Sequence, residues 1–387
     1  MCTAAFYKTN DLYFGRNLDF DGTPGESVVI TPRGYRFAWR SPELNEFLHD
    51  GMSAVKPEGC FGGSSERALT AASSKNLTGT SGEPVTGMSG EPVTGVSGKA
   101  MTSVSGEAMT GVSGKTKTGV SGHYAMIGVA HILYDYPLYY DAVNEKGLCA
   151  AGLNLVRSAV WFPPRRGKLN IAQFELIPWL LSGCASVAEI RERVPLMNIT
   201  GESFSPELPA AKLHWMFADR NECAVLEQTS AGLTLYDDPA GVLTNEPPFP
   251  VQMFSLNDFA GVSAKPPEVN FGLPLEIYSR GMGGIGLPGD FSSRSRFVKA
   301  AFVRANSVSG DCEDESVAQL FHILESVAQP RGCCALGNGA QEYTLYTGCV
   351  NAYKGIYYLK TYDSLAAERF DLHAERLDGD RLIVYTP

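Results

Sequence analysis

The sequence predicts a layered α+β fold, and three observations lead there. Strand-like runs sit at both ends, at 2–9, 11–19 and 26–40 and again at 342–351, 355–362 and 381–385. Helical patterns at 172–181, 186–194, 292–305 and 315–327 fall between them. The two kinds of segment do not alternate one for one, which argues against a parallel sheet built from βαβ units. A chain of 387 residues, 44% hydrophobic and 19% charged, is long enough to bury a sizeable core, as one large domain or two.

Taken in order, residues 2–9 and 11–19 read as two short strands around a turn at Asn10 and Asp11. The stretch 26–40 reads as a hairpin: Val28, Val29 and Ile30 form a buried strand, Pro32, Arg33 and Gly34 the turn, and 35–40 an alternating return strand. Residues 124–129 read as a strand, 130–140 (AHILYDYPLYY) as an aromatic loop, 144–147 as a turn, and 148–155 as a buried strand ending near Asn154. Ser186 is placed to cap a helix running through Val194. Residues 213–217, 223–228 and 233–236 form a meander of strands, and 242–247 a strand end that turns at Pro247. Near the C-terminus, 342–351 and 355–362 pair.

From 51 to 122 the character changes. Gly, Ser and Thr dominate, and from Thr78 an eight-residue unit repeats (TGTSGEPV, then TGMSGEPV), with further copies starting at Thr94, Thr102 and Thr110 and a truncated one at Thr118. Each copy carries one or two apolar side chains, too few to offset the entropy of ordering it. The expectation is one domain over 1–387 interrupted by a flexible insertion at 51–122.

Composition narrows the function classes. The net charge is −10, the acidic residues are dispersed and no Lys/Arg cluster is present, which excludes nucleic acid and an anionic membrane as partners. No apolar run approaches the roughly 18 residues of a membrane span, and the N-terminus lacks the charged and apolar regions of a signal peptide. The 9 cysteines are scattered without a C-x-x-C, which reads as buried reduced thiols in a cytosolic protein. The 6 histidines are isolated, so no metal and no cofactor is expected. Two motifs are decoys. GMGGIG at 281–286 is followed by Leu287-Pro288-Gly289-Asp290, which breaks the helix a dinucleotide site needs, leaving a plain glycine-rich loop. GKT at 114–116 would need glycine where Met109 stands. There is no G-x-S-x-G for a nucleophile-elbow serine hydrolase.

The candidate chemistry starts at the second residue. Removal of Met1, which a small second residue permits, would leave Cys2 with both a thiol and a free α-amine. Their ordinary pKa values are about 8.5 and 7.7–8.0, so the amine can take the thiol's proton near neutral pH. Arg16 and Asp19, in FGRNLD at 14–19, supply a guanidinium that favours thiolate and a carboxylate to orient the ammonium.

These residues belong to a larger pattern. Cys2-Thr3, FGRNLD at 14–19, NEKGL at 144–148 with AGLN at 151–154, LTNEP at 243–247, YSRGMGGIGLPGD at 278–290 with SSRSRF at 292–297, and EYTLYTGCVNAYKGIYYLKTYD at 342–363 occur in this order. Together they resemble the choloylglycine hydrolase family, the bile salt hydrolases and penicillin V acylases among the N-terminal-nucleophile hydrolases. The resemblance spans 1–48 and 123–387 and leaves out the repeats.

It implies a four-layer αββα sandwich and hydrolysis of the amide between a bile acid and glycine or taurine. It also implies a cytoplasmic bacterial enzyme that assembles as a homotetramer. Carried over by motif, Cys2 is the nucleophile and its amine the base, with Arg16 beside the thiol and Asp19 near the amine. Asn154 and Asn245 fall at the oxyanion hole and Arg296 is a second active-site arginine. Leu18, Phe20, Leu133, Phe204, Leu208 and Leu213 are the candidates for an apolar steroid pocket, each able equally to be core. Asn154 favours the bile-salt branch, since the penicillin V branch is similar but has Tyr there. The rival readings are a penicillin V or other N-acyl amide acylase, and a non-catalytic binding protein that uses the repeats.

Overall fold

A computed structural model describes residues 1–23, 25–50, 123–337 and 339–386. The expected insertion at 51–122, with its repeats and Cys60, lies outside these residues.

The strands in chain order are β1 (Cys2–Lys8), β2 (Leu12–Phe20), β3 (Glu26–Thr31), β4 (Met126–Leu133), β5 (Tyr136–Asn144), β6 (Cys149–Asn154), β7 (Leu169–Ala172), β8 (Met197–Thr200), β9 (Leu213–Ala218), β10 (Cys223–Thr229), β11 (Gly232–Asp237), β12 (Val242–Leu243), β13 (Tyr343–Asn351), β14 (Ile356–Thr361), β15 (Glu368–Asp371) and β16 (Ile383–Tyr385). The helices are α1 (Pro42–Asp50), α2 (Leu176–Gly183), α3 (Val187–Arg193), α4 (Phe249–Ser255), α5 (Ser293–Asn306) and α6 (Glu313–Glu325).

Two antiparallel sheets form the centre. One has six strands in the order β12-β1-β2-β13-β14-β15, the other eight in the order β11-β10-β9-β6-β5-β4-β3-β16. Strand alternation divides the eight-stranded sheet between two cores. Val28, Ile30, Ile127, Val129, Ala151, Leu153, Met216 and Val225 point into a core shared with the six-stranded sheet, α5 and α6. Their chain neighbours Val29, Met126, Ala130, Ala150, Phe217 and Leu226 join a second core with α1, α2 and α3. Helix α2 lies over β5 and β6, while α6 lies over β1, β2 and β13 and α5 over β1 and β12. The layers therefore run helix, sheet, sheet, helix, the αββα sandwich.

Local chemistry starts each helix where the residues allow. Ser186 accepts from the Glu189 N–H at the start of α3, and Ser292 from Ser295 N–H at the start of α5. Pro178 falls in the first turn of α2, where its missing N–H costs no helical bond.

Two expected elements take a different form. Residues 35–40 are not a strand; both edges of β3 are occupied, by β4 and by β16. Tyr35 and Phe37 are instead buried in the second core, with Phe37 stacked on Trp39. The aromatic stretch 130–140 is not a loop but the hairpin of β4 and β5, closed by Tyr134 and Asp135 at φ 51° and 59°. A two-residue turn with both residues left-handed normally announces itself by Asn-Gly or Asp-Gly, and Tyr-Asp gives no such signal. The parallel pair β7–β8, β15 and α1 were also not read from the sequence. GMGGIG forms a short 3-10 turn at Met282–Gly284 in a loop, with Gly281 at φ 77°. Five of the described cysteines are buried, but Cys312 and Cys333 are exposed and Cys334 is half-buried.

Candidate active site

The site is assembled on the neighbouring strands β1 and β2 of the six-stranded sheet. Cross-strand register sets Cys2 opposite Leu18 and Ala4 opposite Arg16, so Cys2 and Arg16 are diagonal neighbours on one face. That face looks toward the eight-stranded sheet. Gly15, next to Arg16, has no room for a side chain: a Cβ there would come within 2.4 Å of the Gly348 carbonyl oxygen.

Arg16 is buried and bonds through both terminal nitrogens. Nη1 donates to the carbonyls of Tyr140 and Gly152 at 2.9 Å each, which orients the guanidinium so that Nη2 meets Cys2 Sγ at 2.7 Å. Burial works against the Arg16 charge, but the Cys2 sulfur and, further on, Asp141 hold its pKa above the ordinary value. A fixed guanidinium in hydrogen-bond contact with a thiol favours the thiolate.

The Cys2 nitrogen is bound from another side. Its N–H donates to Asn245 Oδ1 at 2.9 Å. Asn245 follows β12 and is locked in place. Oδ1 also accepts from Arg296 Nη2 at 2.7 Å, Nδ2 donates to the Asn154 carbonyl at 2.9 Å, and its own N–H reaches Ser293 Oγ at 2.7 Å. One N–H of the Asn245 amide remains. The side-chain amide of Asn154, at the end of β6, makes no hydrogen bond to another described residue, so each of the two bonded asparagines keeps donor capacity.

Arg296, on α5, donates from Nη1 to the Cys2 carbonyl and to Thr3 Oγ1, both at 2.6 Å, and lies 3.8 Å from Asp19 Oδ2. Burial lowers its pKa, opposed by Asp19 and Cys2. The Asp19 carboxylate accepts from Thr344 Oγ1 at 2.6 Å and Gln329 Nε2 at 3.0 Å. Met1 is held on the adjoining backbone: its ammonium donates to the Asp19 carbonyl at 2.8 Å and pairs with Glu342 at 2.7 Å.

The six expected catalytic residues thus converge. The apolar candidates are more scattered. Leu18 is buried beside Cys2 and Leu213 faces Asn154 across β6 and β9. Leu133 flanks the Tyr134–Asp135 turn, and Phe204 packs on Tyr134, Tyr136 and Phe174, with Leu208 bonded to Phe204 through the backbone at 3.1 Å. Phe20 ends β2 with 43% of its surface exposed, in neither core. Sequence reading missed the residues that hold the site from behind: Ser293, Thr344, Gln329, Glu342, and Gln252, whose Nε2 donates to the Asn245 and Pro247 carbonyls. Ser293 lies inside SSRSRF, and Glu342 and Thr344 inside EYTLYTGC, which is the one signal that could have found these three.

Comparison with known proteins decides the family. Residues 99–385 match the family described as linear amide C–N hydrolases, choloylglycine hydrolase family. The chain belongs to that family. It is 38% identical to the bile salt hydrolase/transferase of Lactiplantibacillus plantarum, across 100% of this chain and 96% of that protein. Among solved structures it is similar to a variant of the conjugated bile acid hydrolase from Clostridium perfringens, with a TM-score of 0.74, 28% identity and coverage of 100% of this chain and 96% of that one. The fold extends to penicillin V acylase from Agrobacterium tumefaciens, with a TM-score of 0.62, 17% identity and coverage of 99% and 90%. This choloylglycine hydrolase family member is therefore an enzyme of linear amides. No helix among its described residues is long and apolar enough to cross a membrane.

Proposed function

We propose that the protein cleaves the amide bond between a bile acid and glycine or taurine, with Cys2 as nucleophile once Met1 is removed. The observation that carries this is the buried contact of Arg16 Nη2 with Cys2 Sγ at 2.7 Å, on a residue whose nitrogen is bonded to Asn245. The freed α-amine of Cys2 takes the thiol proton, and the thiolate attacks the amide carbon. The carbonyl oxygen gains the negative charge and is stabilised by Asn154 and the remaining Asn245 N–H. The intermediate collapses as the Cys2 ammonium protonates the leaving nitrogen, giving a thioester and free glycine or taurine. Water, deprotonated by the same amine, then releases the bile acid. Arg296 and Asp19 fix the Cys2 backbone and the end of β2 against which the amine sits.

The bile-acid substrate is supported by the similarity to enzymes named for that substrate and by Asn154 at the AGLN position. Leu18, Phe20, Leu133, Phe204, Leu208 and Leu213 form its apolar surroundings. We also read the chain as a single hydrolase domain carrying the 51–122 insertion, as cytoplasmic, and as a homotetramer. The last is supported by the exposed run Val269, Phe271, Leu273, Leu275, Ile277 and Tyr278, apolar surface that association would cover. The test is intact mass together with parallel hydrolysis of glycocholate, taurocholate and penicillin V. Loss of the mass of methionine with turnover of the bile salts is the expected result. Turnover of penicillin V alone would replace the substrate, and retention of Met1 in an active enzyme would remove the proposed base.

A further inference from the structure

Behind the Arg16–Cys2 pair lies an acid that the reaction above does not use. Asp141, on β5, is 4% exposed and accepts hydrogen bonds from two phenols on the opposite sheet. Tyr346 donates to Oδ2 at 2.8 Å and Tyr357 to Oδ1 at 2.6 Å. Both carboxyl oxygens are acceptors, the pattern of a carboxylate. The sequence makes room for this clamp. A Cβ at residue 348 would stand 2.1 Å from the Tyr357 hydroxyl, so Gly348 lets the phenol cross β13, and Gly348 is also the cross-strand partner of Arg16.

Asp141 also follows Tyr140, whose carbonyl accepts from Arg16 Nη1, so the buried guanidinium bonds the Cys2 sulfur directly and has the Asp141 charge close by without pairing with it. The titratable and charged groups facing Asp141 are Arg16 from β2, Tyr346 from β13, Tyr357 from β14 and Cys149 from β6. Those facing Cys2 are Arg16, Tyr140 from β5 and Arg296 from α5.

We propose that Asp141 is a positioning residue for the nucleophile: buried behind Arg16 and clamped by two phenols, it takes up part of the guanidinium's field, so that less of that field acts on the Cys2 thiol. This rests on Cys2 as the attacking group. The benefit is chemical, because a thiolate's nucleophilicity falls as its thiol becomes more acidic. Burial pushes the Asp141 carboxyl up, and Arg16 with the two hydroxyls opposes that rise. Removing the Asp141 charge leaves the thiolate as the sole anion of a buried cation, which favours ionisation.

The test needs no substrate. Cys2 alkylation by iodoacetamide is followed against pH by the mass of the N-terminal peptide, in the wild type, Asp141→Asn and Tyr357→Phe. Asp141→Asn is expected to lower the midpoint by about one pH unit or more. Tyr357→Phe keeps the acid, removes one of its two hydroxyl donors, and is expected to lower the midpoint by less. An unchanged or raised midpoint in folded Asp141→Asn overturns the proposal. Should that variant fail to fold, an unchanged or raised midpoint in Tyr357→Phe does so. A wild-type Cys2 that resists alkylation at every pH would overturn the nucleophile reading and this proposal with it, whereas a normal wild-type curve with unmoved variants overturns this proposal alone.

Discussion

Replacing Asn154 and Asn245 by alanine, one at a time, separates two things an oxyanion-hole residue can do. If both amides donate to the developing oxyanion, each loss should lower kcat by about 10²–10³, or roughly 2.7–4 kcal/mol of transition-state stabilisation. Their effects on stability should differ. The Asn154 side chain bonds to no other described residue and is only partly buried, so Asn154→Ala should stay within about 0.5 kcal/mol of wild type. Asn245 is the acceptor for the Cys2 nitrogen and for Arg296 Nη2, and the donor to the Asn154 carbonyl. Asn245→Ala strands two buried donors, each costing about 1–3 kcal/mol, so the loss should reach about 2–6 kcal/mol. The assay is steady-state hydrolysis of glycocholate with urea unfolding of the same preparations. Asn154→Ala with kcat within about threefold of wild type, or with its whole effect on KM, would refute the oxyanion role. Equal stability of the two variants would refute the bonding assigned to Asn245.

Three further outcomes are expected. Cys2→Ser should abolish turnover and leave the fold intact, checked by kinetics and circular dichroism, because a hydroxyl is far less acidic than a thiol and the amine is too weak a base to compensate. Asp238 is pushed up to about 7, first by burial. The folded state then holds a proton that the unfolded chain has released, so this group's contribution to stability falls as pH rises from about 4 to 7; Asp238→Asn should flatten that slope in thermal unfolding between pH 5 and 8. Deleting residues 78–122 should leave a folded enzyme with substantial activity, since the repeats contain no aromatic residue and loop length alone costs about 0.6 kcal/mol per doubling; loss of glycocholate hydrolysis would show that they belong to the working structure.

How much was legible in the sequence depended on whether the information was local. β1, β2, β6, β9 and β10 carry their own burial pattern, and Ser186 and Ser292 mark helix starts by capping chemistry alone. The β4–β5 hairpin was missed because Tyr134 and Asp135 enter the left-handed region without glycine or asparagine to permit it. The short strands β7 and β8 pair only with each other, across the two helices α2 and α3, and neither has a pattern long enough to read. The site followed the same rule. Cys2, Arg16 and Asp19 announce themselves by residue type near the terminus. Asn154, Asn245 and Arg296 required the motif pattern, because an isolated asparagine is more often a turn residue. Tyr346 and Tyr357 share one hairpin, but Asp141 lies 205 and 216 residues away from them and meets them only once the two sheets face each other.

The alternation of β2 explains why the machinery has two sides. Arg16 and Leu18 face the eight-stranded sheet, where Arg16 binds carbonyls of Tyr140 and Gly152. Asn17 and Asp19 face the helices, where Asn17 donates to the Leu324 carbonyl at 2.8 Å and Asp19 meets Gln329 and Thr344. β1 repeats the division, with the Cys2 thiol toward Arg16 and Thr3 toward Arg296 on α5. A side chain on one face of a strand cannot reach the other without breaking the ladder. The thiol is therefore served by Arg16, while Asp19 and Arg296 act on the backbone side of Cys2, where its nitrogen and carbonyl lie. Charge at Arg16 should set when the thiol ionises, and charge at Asp19 should set how the nitrogen is held. The order FGRNLD places both on one strand three residues apart, an odd spacing that puts them on opposite faces.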